Sequence, residues 1–87
     1  MAERTLHVID GPDKAALQRA LAYPEREEVH FKLQDDSVDA TIMRIDEMAD
    51  GFSFELKGVL MSGMYKSLPF RASYSVDSRS GLITVME

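Results

Sequence analysis

The chain has 87 residues, no cysteine and a net charge of −5 at pH 7. Disulfides, thiolate catalysis and cysteine-ligated metal sites are thereby excluded, and the acidic balance argues against a nucleic-acid partner, whose phosphates call for clustered Lys and Arg. With 45% apolar residues it reads as one small domain, able to bury roughly 60–65% of its extended-chain surface and with little room for a deep pocket.

Residues 1–7 contain no apolar core of a secretory signal, and no apolar run approaches the ~18 residues of a membrane span, so the expected setting is the cytoplasm. A first strand is predicted over about 4–9. Helix follows over about 12–23: Asp10 or Gly11 can serve as N-cap, Pro12 suits the first turn, and Asp13 favours the positive end of the dipole. Ala15, Ala16, Leu17, Ala20 and Leu21 form its apolar stripe, and Pro24 ends it. About three turns are too few to stand alone, so this helix must dock on a sheet.

Val29, Phe31 and Leu33 alternate with polar residues in a strand over about 28–34, and Asp35 and Asp36 turn the chain. Strands over about 37–49 and 52–61 form a ribbon about Asp50 and Gly51, an Asp-Gly pair flanked by alternation and hence a strong hairpin signal. A two-residue turn pairs Ile45 with Leu56 and Met43 with Gly58; a four-residue loop keeps the same faces and sets Asp46 opposite Lys57. The fifth strand is predicted over about 65–76. To keep its apolar face with that of the ribbon, a three-residue loop at 62–64 or a bulge must pair Leu56 with Phe70, Phe54 with Ala72 and Phe52 with Tyr74. A last strand covers about 82–86. Gly58, mid-strand on the core face, suggests a bulge or room for a facing aromatic such as Phe70.

The fold expected is α+β: one short N-terminal helix on a curved antiparallel meander of five to six strands, open or partly closed into a barrel. One mismatch bears on function. A tight turn at Asp35 and Asp36 puts Val38, Ala40 and Ile42 on one face, whereas Met43 and Ile45 lie on the other. Either a bulge corrects the register, or Ala40, Ile42, Val59 and Met61 form a second apolar patch, covered by the helix, a protein partner or a second copy.

Chemistry is sparse. Isolated His7 and His30 make no metal site or triad without located partners, and the serines lack a nucleophile elbow. Asp35, Asp36 and Asp39 depart from the calcium-loop pattern, and the glycines form no phosphate loop. No catalytic, metal-ligating or cofactor-binding residue is assigned, and no cofactor is expected. The reading is therefore a small non-enzymatic binding module for a protein partner (accessory subunit, inhibitor or adaptor). Its possible interface is Ala40, Ile42, Val59 and Met61. The alternative is a small-ligand binder lined by Phe52, Phe54, Phe70 and Tyr74, and a further reading is a hydrolase or isomerase using His7 or His30 with a carboxylate.

Overall fold

A computed structural model describes residues 3–24 and 26–86. The elements run β1 (Glu3–Asp10), α1 (Lys14–Ala22), β2 (Val29–Leu33), β3 (Ser37–Glu47), β4 (Ser53–Leu60), β5 (Pro69–Ser75) and β6 (Ser80–Met86). The strands form a closed antiparallel barrel in sequence order, with β6 returning to β1. This is the expected α+β class with the barrel fully closed. Residues 62–67, partly assigned to strand by the alternation, instead form the turns before β5.

Alternation builds the core. Phe31 on β2, Val38, Ala40 and Ile42 on β3, Phe54, Leu56 and Leu60 on β4, Phe70, Ala72 and Tyr74 on β5, and Ile83 and Val85 on β6 all point inward and are buried. Phe31 stands edge-on to Phe70 and Tyr74, with ring centroids 6.3 and 5.7 Å away, an arrangement aromatic pairs favour.

The mismatch on β3 is resolved by a bulge. Ile45 pairs with Leu56 and Arg44 with Lys57, but Ile42 pairs with Gly58, so Met43 is the extra residue and is turned out to solvent. The coil is tight: a Cβ on Gly58 would overlap the Thr41 carbonyl oxygen and lie 3.0 Å from a Phe70 ring carbon. Gly58 thus meets both expectations at once, since it lies across from the bulge and beside Phe70.

The hairpin keeps the register of a two-residue turn, with Met48 N–H donating to the Ser53 carbonyl. Only Gly51 has positive φ, at 77°. Asp50 contributes its carboxylate, which accepts from the Phe52 and Ser53 amides and the Ser53 hydroxyl, and these bonds hold it below its usual carboxylate range, the Ser53 amide foremost. Between β4 and β5 the faces agree with expectation but the register is two residues longer: Gly58 faces Phe70, Leu56 faces Ala72 and Phe54 faces Tyr74. The connection is longer than three residues because Ser67 takes positive φ and returns its amide to the Leu60 carbonyl.

The N-cap of α1 is Asp13, whose carboxylate accepts from the Ala16 amide at 2.8 Å, rather than Asp10 or Gly11. Asp10 and Gly11 remain with the end of β1, and Asp10 is met by the Arg79 guanidinium at 3.3 Å. The helix ends at Ala22, ahead of Pro24, and buries Leu17 and Ala20 against β3 and β2. Leu21, predicted to belong to the buried stripe, is exposed. The Tyr74 hydroxyl donates to the Pro12 carbonyl at 2.7 Å, and Arg79 Nε donates to the Gly11 carbonyl at 2.9 Å, so β5 and the loop after it are tied to the entry to α1.

Candidate functional site

Strand lengths create the site. β2 has 5 residues, whereas β1 has 8 and β3 has 11. β3 pairs with β2 only as far as Ala40, so residues 41–47 overrun it at one end of the barrel. β1 pairs with β2 only at Val8 and Asp10, through a register shift, so residues 3–7 overrun it at the other end. The first overhang lies beside α1, which packs on β3. Along the second, residues 3–7 pair with β6 on one side and with no described strand on the other.

A cleft of about 430 Å³ lies along that open edge. Thr5, Leu6 and His7 form one wall, and the turn at Gln34, Asp35 and Asp36 forms the opposite lip. Leu33, Val38, Met64 and Tyr65 complete an apolar lining, with Met64 84% exposed. The arrangement therefore offers unpaired backbone N–H and C=O groups next to an apolar seat. Those are the two things an added strand needs, and natural proteins usually blunt such an edge with Pro, Lys or a cover.

The four residues of the predicted interface are divided. Ala40 and Ile42 pair with Leu60 and Gly58, point into the barrel and are fully buried, so no partner reaches them; the bulge at Met43 put them there. Val59 is half-buried on the outer face, and Met61 is exposed after β4. Val59 lines a second apolar hollow with Met43, Pro69 and Met86, rimmed by Lys57 and Arg71. That hollow lies over β4 and β5 where their ladder is complete, so along those two strands it offers side-chain contact but no free backbone.

Of the four predicted ligand-facing residues, Phe54, Phe70 and Tyr74 lie together in the sealed core, and Phe52 stands apart, exposed on the hairpin. An eight-stranded barrel is just wide enough to be filled by side chains or to hold one small ligand. This one has six strands, and a ligand inside would have to displace Phe31 and its aromatic neighbours. Burial raises the Tyr74 hydroxyl to about 12.

His30 and Asp39 face one another across β2 and β3, with Nδ1 and the carboxylate 2.8 Å apart. His30 also lines a hollow with Asp10, Glu28, Lys32 and Arg79. The pair can orient an imidazole. Triad chemistry needs a hydroxyl bonded to the other ring nitrogen, whereas the nearby Ser62 hydroxyl accepts from the Asp39 backbone amide. Both members are exposed, and the pair acts as a strand clamp worth ~0.2–1 kcal/mol. His7 lies in the wall of the β1 cleft. Among the described residues no three His, Asp or Glu side chains converge as metal ligands, and no helix is long and apolar enough to cross a membrane.

The β1 cleft was missed in the sequence. Its apolar walls come from Leu6, Leu33, Val38, Met64 and Tyr65, in separate stretches of the chain. No local signal marked it, since the first two strands read as similar in length, over about 4–9 and 28–34. No family model matches the chain, and no curated protein or solved structure matches it either.

Proposed function

We propose that this protein is a non-enzymatic binding module that accepts an extended segment of a protein partner as an added strand along β1. The observation that carries the reading is the overhang of residues 3–7 beyond β2, with an apolar cleft at its side. Main-chain hydrogen bonds to such an edge supply affinity, and a pocket for alternate side chains supplies selectivity. Leu6 lies on the inward face with Val8, as the alternation of β1 requires. The residue that pairs with Leu6 on an added strand therefore projects inward, toward Leu33, Val38 and Tyr65.

The test is selection of displayed decapeptides on the intact protein, followed by hydrogen exchange with a selected peptide bound. The expected result is slowed exchange at amides within residues 3–7, and loss of binding when proline replaces the central residue of the peptide. Protection confined to Met43 and the β4–β5 surface beside it, or binding indifferent to the proline, rejects the reading.

A further inference from the structure

Two apolar hollows on the outside of this barrel, the β1 cleft and the one at Met43, carry opposite charge, and that difference specifies the partner further. The cleft along β1 is rimmed by the carboxylates of Asp35 and Asp36; His7 and Tyr65 are the other ionisable side chains lining it, and among the described residues no Lys or Arg does so. Both aspartates are exposed, and among the described residues neither is engaged in an ion pair. The hollow at Met43 has Lys57 and Arg71 and no carboxylate. The acid-rimmed cleft lies along the unpaired edge of residues 3–7, whereas the β4–β5 ladder beneath the Met43 hollow is complete.

We propose that the segment taken by β1 is a basic one, an extended stretch of a different protein with Lys or Arg beside its apolar anchor. This rests on the strand-addition reading above. On an added strand, the residues flanking the inward anchor project to the outer surface. Across the cleft they come to the lip that holds Asp35 and Asp36. A cationic side chain there meets two carboxylates that are in no ion pair among the described residues, Lys32 lining the neighbouring hollow on their other side; an anionic one meets repulsion, so the lip selects as well as attracts. A second copy of the chain fits poorly, because it adds another net charge of −5. The edge it would have to offer is the same acid-rimmed one.

The experiment uses two blocked synthetic peptides, Ser-Thr-Lys-Val-Thr-Leu-Thr-Ser and the same peptide with Glu for Lys. Each is titrated into the full chain by amide-resolved NMR at low salt. The Lys peptide is expected to bind roughly fivefold or more tightly, with shifts at residues 3–7 and 34–36, and added salt should shrink the difference. In the double variant Asp35→Asn, Asp36→Asn the two peptides should bind within about twofold of one another, which ties the preference to the lip. Equal binding of both peptides to the unaltered cleft overturns the charge preference and leaves the strand-addition reading standing. If neither peptide perturbs residues 3–7, both fall. A dimer in sedimentation, with residues 3–7 protected before any peptide is added, identifies the occupant as a second copy and overturns the proposal.

Discussion

The overhangs of β3 and β1 have one cause and opposite outcomes. Both exist because β2 is short. Beside residues 41–47 of β3 the chain places α1, which buries Leu17 and Ala20 in the common core. Beside residues 3–7 of β1 it pairs no described strand with the free edge and leaves half-buried Leu6 facing a cleft. An unpaired strand edge is a liability that folding chains usually cover. Here the cover was built at one end only, so stability should be concentrated at the helix end and interaction capacity at the other.

The strongest way to break that comparison is to remove the filler. Leu17 is 1% exposed, and Leu17→Ala should cost ~2–5 kcal/mol in urea unfolding, a large part of the stability of so small a domain. Leu6→Ala at the empty overhang should cost no more than ~1 kcal/mol. Comparable costs would show that the two ends are not energetically distinct. Next comes the bulge within the β3 overhang: Gly58→Ala must push β4 away from the Thr41 carbonyl, a backbone atom that cannot swing aside. The expected loss is ~1–3 kcal/mol, with the midpoint lowered and the fold retained.

How much of this was legible in the sequence depends on range. The alternation of β4 (Phe54, Leu56, Leu60) and of β5 (Phe70, Ala72, Tyr74) fixed which faces meet, because a one-residue slip would expose them all. The apolar switch between Ile42 and Met43 signalled the bulge, but not where the inward face would continue, so Ala40 and Ile42 were placed outside when they lie within. The N-cap was misplaced because Asp10 and Asp13 bracket Pro12 and both are capping residues; ion pairing of Asp10 with Arg79, distant in sequence, separates them. The cleft was out of reach for a deeper reason. It depends on strand lengths relative to one another, and pairing partners are a property of the closed barrel rather than of any segment.

A pH titration sharpens the helix end. Tyr74 is buried with its hydroxyl on the Pro12 carbonyl, and its folded pKa, raised to about 12, exceeds the unfolded value near 10. The folded state therefore binds more protons between those values, and stability falls as pH rises from about 10 to about 12. The loss across that window is on the order of 2 kcal/mol. Tyr74→Phe should remove this dependence while costing ~1–3 kcal/mol at pH 7, because the Pro12 carbonyl loses its donor. An unchanged slope in the variant would mean that the helix entry is not locked through Tyr74.

The smallest expected effect on stability tests the other end most directly. Met64 forms part of the cleft wall but is 84% exposed, so it contributes little to the core. Met64→Glu should leave the unfolding midpoint within the equivalent of about 0.5 kcal/mol. If β1 takes an added strand, the same change places a carboxylate where an apolar side chain of the incoming segment must sit. Binding of a selected peptide should then weaken about tenfold or more, since desolvating an unpaired charge in such a seat is costly. A binding loss without a stability loss at Met64, set against a stability loss at Leu17, would separate the two overhangs by function. Loss of both properties at Met64 would make the connection between β4 and β5 a structural element and return the cleft to the core.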